Sequence, residues 1–424
     1  MVAKFYIKSI PSINDGIKMT KRIIAVFTGN RAEYGLQFPI LKAIDAHPDL
    51  DYRLIVSGAH LDKNFGDTLE EIKKDGFKVS EEVKIEMDAG NLESNVQAIG
   101  SGILSIGKAL SRIKPDMMVV YADRFEGLAA VVASTQMNIP TAHIEGGDLT
   151  EGGALDDSVR HAMSKLSHLH FTTNQQASNR VLGMGEEYWR VHTVGFPAID
   201  MISEGNYATP AEVAEGLTID LDKPIVLFTQ HSVTTEFDSA EDQLAPSLLA
   251  LNKLANNGVQ VIATYPNNDA GGKKIIEKLV EMKGKAIHGI QVNRSLGRYL
   301  YHGVLALALD QNRRVICVGN SSSGIKETPV FGCPTVNIGS RQLARLRGQN
   351  VIDAGYDENE IFNAVIKCIN NEEFRAVCHT TDNPYYLGDA GKKIANVLAS
   401  TPLNKELLRK KMELQGVARE GWFK

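Results

Sequence analysis

Cysteine is scarce in this chain of 424 residues. Its four copies, Cys317, Cys333, Cys368 and Cys378, all fall in the second half without C-x-x-C spacing. That pattern suggests neither a disulfide framework nor a zinc site, and fits buried free thiols in a reducing cytosol. Long apolar runs are missing too, and none approaches the roughly 20 residues of a membrane span. Met1–Lys18 has an early lysine, but Lys8, Ser9, Pro11 and Asp15 interrupt any apolar stretch, which makes it a poor signal peptide. Residues 1–20 are therefore read as an N-terminal extension, and the protein as cytoplasmic. An excess of positive charge is also absent. The net charge of −5 argues against bulk nucleic-acid binding or an anionic membrane surface, but leaves room for a local basic pocket around one small anion. No Gly-Lys-Ser/Thr phosphate loop and no G-x-G-x-x-G fingerprint occurs at a strand end. There is no low-complexity segment and no short-period repeat.

What is present is alternation. Short apolar runs end in polar residues and are followed by helical patterns, which predicts an α/β protein built on doubly wound parallel sheets. The expected strands of the first half are Ile23–Phe27, Tyr52–Val56, Phe77–Val79, Asp116–Tyr121, Thr141–Ile144, Leu169–Thr173 and Val191–Gly195. Residues 197–223 are polar and punctuated by glycine and proline, after which the pattern restarts with Ile225–Thr229, Gln260–Thr264, Arg314–Val318 and Thr335–Ile338. A helix from Pro246 to Asn256 is expected, with proline in its first turn. The chain is too long for one ordinary core, so two domains are expected, at residues 21–197 and 198–385. Helices at Gly391–Leu398 and Asn404–Gln415, within 386–424, are expected to pack back on the first domain.

In open parallel sheets ligands bind at the carboxyl ends of the strands, and the polar residues worth attention sit there. Asp123 and Glu145 follow two successive strands, and Asp156 opens the next helix. Arg31, Arg124 and Arg341 each stand at a strand end, where a diphosphate would need cationic forks. The stretch Gly319-Asn320-Ser321-Ser322-Ser323-Gly324 joins a strand to a helix and is suited to cradling a diphosphate with backbone N–H groups. His231, just after a strand of the second half, is a candidate phosphate donor; His60 and His143 are weaker ones. Without a metal, the three acids are better suited to acid–base work on a neutral sugar than to gripping phosphate. The alternative is that they pair with Arg124 and Arg160.

These motifs together resemble one family, the hydrolysing UDP-N-acetylglucosamine 2-epimerases of sialic-acid-type sugar biosynthesis. The resemblance is carried by Gly29–Tyr34 (GNRAEY), Gly58–Leu61 (GAHL), Asp123–Phe125 (DRF), His143–Gly147 (HIEGG) and Asp156–His161 (DDSVRH). It continues in Pro266–Gly271 (PNNDAG), Gly319–Gly324 (GNSSSG) and Gly339–Gln342 (GSRQ), and so runs from about Lys21 to Gly355. It implies a GT-B architecture of two Rossmann-like domains, with the active site in the cleft between them and UDP held by the second. It also implies no metal and no nicotinamide cofactor, and a homodimer or homotetramer. By position, Asp123, Glu145 and Asp156 match the family's catalytic acids, with the register of Asp156 against Asp157 left open. Arg31, Arg124, His231, Asn267, Ser321, Ser322, Ser323, Gly324, Glu327 and Arg341 are expected around UDP, with His60, His143, Arg160 and His161 as secondary candidates. The implied reaction converts UDP-N-acetylglucosamine to N-acetylmannosamine and UDP. The alternatives are the same reaction on UDP-N,N′-diacetylbacillosamine, as in legionaminic-acid pathways, and a GT-B glycosyltransferase that uses a UDP-sugar. Which carboxylate is base and which is acid stays open.

Overall fold

The computed structural model describes residues 21–61, 68–85, 92–150, 155–267 and 271–413, with the backbone alone at Arg31, Ala32, Ala59, Thr68, Leu92, Asn95 and Thr234. Among these residues the strands form two sheets, parallel throughout. The first contains β1 (Arg22–Thr28), β2 (Leu50–Ser57), β3 (Val79–Val83), β4 (Met117–Tyr121), β5 (Thr141–Ile144), β6 (Leu169–Thr172) and β7 (Val191–Thr193), in the order β3-β2-β1-β4-β5-β6-β7. The second contains β8 (Ile225–Thr229), β9 (Gln260–Thr264), β10 (Ile290–Asn293), β11 (Val315–Gly319), β12 (Thr335–Ile338) and β13 (Val351–Ala354), in the order β10-β9-β8-β11-β12-β13. Strands buried on both faces need no polar alternation. IIAVF in β1, MMVVY in β4, IVLFT in β8 and VICVG in β11 are accordingly almost wholly sequestered.

In each sheet the winding reverses once, between β1 and β4 and between β8 and β11, and such a reversal opens a crevice at the carboxyl edge. Core clusters cover both faces of both sheets. A fifth, smaller cluster of Phe196, Ala198, Ile199, Ile325 and Tyr385 joins the two halves. After the second sheet the chain returns to the first. The helix Ala390–Ser400 puts Ile394 and Leu398 into the cluster that holds Ile40, Leu41 and Ile44 of the helix Arg31–Ala46. Both carboxylate oxygens of Asp200 receive N–H groups at its start, from Ala390 (3.0 Å) and Gly391 (2.7 Å).

Three local expectations shift. The helix expected to begin at Pro246 starts at Ala240, so the proline lies inside it; Glu241 and Asp242 supply the acidic first turn. The third strand runs Val79–Val83 rather than Phe77–Val79, with Phe77 turned into the core instead. Of the helix expected over 404–415, only Lys405–Leu408 is helical, and residues beyond 413 lie outside the described ones. All four cysteines are free and buried in the second half. Among the described residues no helix is long and apolar enough to cross a membrane.

Candidate functional site

The acids sit where two neighbouring strands stop. β4 ends at Tyr121 and β5 at Ile144, and each is followed by a non-glycine residue in the left-handed region, Ala122 (φ 54°) and Glu145 (φ 64°). Such backbone costs on the order of 1 kcal/mol and persists only where neighbours enforce it. Ala122 N–H donates to the Ile144 carbonyl (3.0 Å) and Glu145 N–H to the Phe171 carbonyl (2.9 Å), and His143 adds a hold on Ala122. Its Nε2 lies 2.7 Å from the carbonyl oxygen of Ala122 and its Nδ1 lies 3.0 Å from Ser164 Oγ. Burial lowers this imidazole to about 3, so it is neutral and fastens one strand end to the other. His60 is likewise committed, 3.0 Å from Thr28 Oγ1 and lowered by burial to about 4. His161 is half-buried on the helix Leu155–Leu166, its basicity lowered by burial and by Arg160.

Asp123, just past Ala122, is paired with the buried guanidinium of Arg160. The same guanidinium donates to Asp157 Oδ1 (3.2 Å) and to the carbonyl of Asp148 (2.6 Å). Asp157 also receives the N–H and hydroxyl of Thr150, both at 3.0 Å. Of the two adjacent aspartates, Asp157 is therefore buried and multiply bonded, while Asp156 remains half-exposed in the first turn of its helix. Arg124 lies 3.6 Å from the buried Glu126 carboxylate. The side chain of Arg31, the stretch 151–154 and residues 268–270 of the PNNDAG motif lie outside the described residues.

In the second half, Gly319 ends β11 at φ 124°, and a Cβ there would stand 2.0 Å from the carbonyl oxygen of Thr229, so only glycine permits this turn. Asn320 then binds His231 twice: its Oδ1 accepts the His231 N–H (2.6 Å) and its Nδ2 donates to the His231 carbonyl (2.9 Å). Arg341 and Gln342 both donate to the Asn320 carbonyl, at 3.1 and 2.9 Å. His231 Nδ1 accepts the backbone N–H of Asn267 at 3.0 Å, which leaves the proton of the neutral ring on Nε2 as a donor. Ser323 Oγ lies between Ser321 Oγ (3.0 Å) and the Tyr301 hydroxyl (2.7 Å). The helix beyond Ser322 is only one turn, Ser323–Lys326, so loop groups and hydroxyls matter here more than a helix dipole. Gly324 is packed against Thr335, and Glu327 accepts from or shares a proton with His302 Nε2 at 3.0 Å.

The two edges meet. Lys326 Nζ, from the second half, lies 2.9 Å from Glu145 Oε1 and 2.6 Å from Asp148 Oδ2. Ala344 N–H reaches the Thr150 carbonyl (3.0 Å), and Arg345 Nε the Leu149 carbonyl (2.8 Å). Burial opposes ionisation of Asp148, but Lys326 and Arg345 outweigh it and hold its carboxyl below the usual range. The structure thus brings Asp123, Glu145 and Arg160 together on one side, and His231, Asn267, Ser321–Gly324, Glu327 and Arg341 on the other. His60 and His143 are buried and hydrogen-bonded to groups at neighbouring strand ends. Sequence reasoning missed Lys326, Asp148 and Arg345. The first adjoins Glu327, but burial of a lysine leaves no mark in the sequence. It also missed Glu33 and Glu126, which lie buried beside one another at the β1 and β4 ends.

Two doubly wound parallel halves, joined where the carboxyl edges of their sheets carry complementary polar groups, define a GT-B-like α/β protein. A family model described as UDP-N-acetylglucosamine 2-epimerase matches residues 42–399, and the chain belongs to that family. It is 33% identical over 392 residues to the hydrolysing UDP-N,N′-diacetylbacillosamine 2-epimerase of Legionella pneumophila, covering 92% of this chain and 99% of that one. It is 32% identical over 357 residues to the UDP-N-acetylglucosamine 2-epimerase of Neisseria meningitidis, covering 84% and 89%. Among solved structures, the Neisseria meningitidis UDP-GlcNAc 2-epimerase bound to UDP-GlcNAc superposes with a TM-score of 0.75 at 19% identity, over 89% of this chain and 99% of that one. The Methanocaldococcus jannaschii enzyme in complex with UDP-GlcNAc and UDP gives 0.71 at 18%, over 89% and 99%.

Proposed function

We propose that this protein is a hydrolysing 2-epimerase that converts UDP-N-acetylglucosamine and water to N-acetylmannosamine and UDP. The observation that carries the reading is the junction itself. A serine loop with an Nε2–H imidazole and Arg341 beside it abuts strand ends bearing Asp123 and Glu145, with Lys326 linking the edges. UDP would lie on the second half, its diphosphate against Ser321–Gly324, His231 and Arg341 and its ribose near Glu327, with Asn267 alongside. The hexose would face Asp123, Glu145 and Asp156.

The chemistry follows from the groups. Donors around the diphosphate stabilise the departing charge, so the C1–O bond breaks with its electron pair leaving on UDP. A carboxylate takes the C2 proton, and the C1=C2 double bond of a 2-acetamidoglucal forms. Water then adds at C1, its proton going to a carboxylate, while C2 is protonated from the opposite face. Inversion at C2 requires a proton acceptor on one face of the ring and a proton donor on the other, which gives a reason for more than one carboxyl group.

A second reading keeps the reaction and changes the sugar to UDP-N,N′-diacetylbacillosamine. It is supported by the Legionella relative and by a 34% identical Campylobacter jejuni protein named GDP/UDP-N,N′-diacetylbacillosamine 2-epimerase (hydrolyzing). The test is purified protein with each UDP-sugar in D2O and no acceptor. Release of UDP with deuterium at C2 of the free sugar is the expected result, and the faster substrate decides between the sugars. Asp123→Asn, Glu145→Gln and Asp156→Asn are each expected to lose at least about 100-fold in kcat while still binding UDP. No UDP release without an acceptor would favour a glycosyltransferase instead.

A further inference from the structure

Lys326 is only 1% exposed, and its ammonium is shared by two carboxylates of the other half, at 2.9 Å from Glu145 and 2.6 Å from Asp148. Its remaining surroundings are aromatic: the ammonium stands 4.6 Å from the ring centre of Phe196 and 5.3 Å from that of Tyr385. Asn383 Nδ2 holds its carbonyl at 2.8 Å, and Ile325 beside it is locked in the small cluster between the halves. A charge this deep is tolerated only with partners in good geometry.

We propose that Lys326 is a positioning residue for the epimerisation chemistry: it orients the Glu145 carboxylate and does so only when the second half is seated against the first. The proposal rests on the function given above. Glu145 stands just past the end of β5 in a left-handed backbone position, and the cation that its carboxylate meets is Lys326. That lysine ends the same one-turn helix that begins at Ser323, so the loop placed against the diphosphate and the ammonium placed against the acid form one rigid piece. Seating the nucleotide-binding half therefore aligns the acid in the other half. Asp148 is the second carboxylate that balances the ammonium, and Arg345, bound to the Leu149 carbonyl, adds a further positive charge that favours ionised Asp148.

The test compares Lys326→Met, Lys326→Arg, Asp148→Asn and the double variant Lys326→Met/Asp148→Asn with wild type, on UDP-N-acetylglucosamine and on UDP-N,N′-diacetylbacillosamine. Lys326→Met is expected to lower kcat about 100-fold, equivalent to about 2.7 kcal/mol, while KM and UDP affinity stay within about threefold. Lys326→Arg should recover part of kcat, and Asp148→Asn should keep most of it because the Lys326–Glu145 pair survives. The double variant removes both the ammonium and one of the carboxylates left behind, so it should melt nearer to wild type than Lys326→Met while staying slow. A double variant or Lys326→Met with wild-type kcat overturns the proposal. So does a loss carried wholly by KM or UDP affinity, which would make the lysine a nucleotide ligand. A wild-type protein silent on both sugars overturns the function and this inference together, whereas an active wild type with unaltered variants overturns this inference alone.

Discussion

Glu33 shows how much one side chain at a strand end can carry. It sits in the first turn after β1, where its Oε2 accepts the Gly29 N–H at 2.8 Å and its own N–H is capped by Asn30 Oδ1 at 3.0 Å. Burial, and then the neighbouring Glu126, push its carboxyl up from 4.5 to about 8, against the opposing pull of Arg124 and of two backbone amides. Two buried carboxyls side by side cannot both ionise cheaply, so Glu33 is protonated at neutral pH. Between pH 4.5 and 8 the unfolded chain has lost this proton and the folded one keeps it, so rising pH favours unfolding by about 1.4 kcal/mol per pH unit from this group alone. Glu33→Gln keeps the neutral shape and should remove that slope. Denaturant melts at several pH values should show the variant gaining on wild type from pH 4.5 to 8, and parallel curves would refute the assignment. None of this is legible in the sequence, where Glu33 reads as one more acidic first-turn residue.

The elements were legible to the extent that their burial was uniform. β1, β4, β8 and β11 are apolar runs with polar ends, and their positions follow directly from the sequence. β10 (IQVN) and β13 (VIDA) were not seen because each is an edge strand, half-exposed, and mixes polar with apolar residues. The closing elements are held by means that leave little trace in periodicity. Arg190 is fully buried and spreads its guanidinium over the carbonyls of Leu407 (2.8 Å), Glu406 (2.8 Å) and Arg409 (3.3 Å), closing off the short helix Lys405–Leu408, while Glu187 takes its Nε at 2.6 Å. Only a planar fork serves so many acceptors. Arg190→Ala should therefore ease local opening of residues 405–413 by on the order of 2 kcal/mol. Trypsin cleavage at Arg409, Lys410 and Lys411 should then be faster by more than tenfold, with Arg190→Lys giving little rescue. Unchanged cleavage would mean that this anchor is not the guanidinium.

At the scale of the molecule, the alternation of strand and helix made both sheets readable, and so were the strand ends that meet. What composition and pattern could not convey was the contact between them. Asp123 and Arg160 are 37 residues apart and Glu145 and Lys326 are 181 apart, and only the folded chain makes them neighbours. The same holds for Asp156 and Asp157: a helical pattern places both in the first turn, and only the folded chain shows that Asp157 is buried against Thr150 and Arg160.

The distribution of sulfur has a practical consequence. Every thiol of the chain belongs to the portion that carries the serine loop, and burial raises all four, Cys317 and Cys378 to about 12. A reagent such as Ellman's, which reacts with thiolate, therefore sees nothing until that portion breathes, and is blind to breathing elsewhere. The molecule carries its own one-sided stopwatch. Saturating UDP should slow colour development by roughly the factor 1 + [UDP]/Kd if the nucleotide sits there, and an unchanged rate would locate it somewhere else.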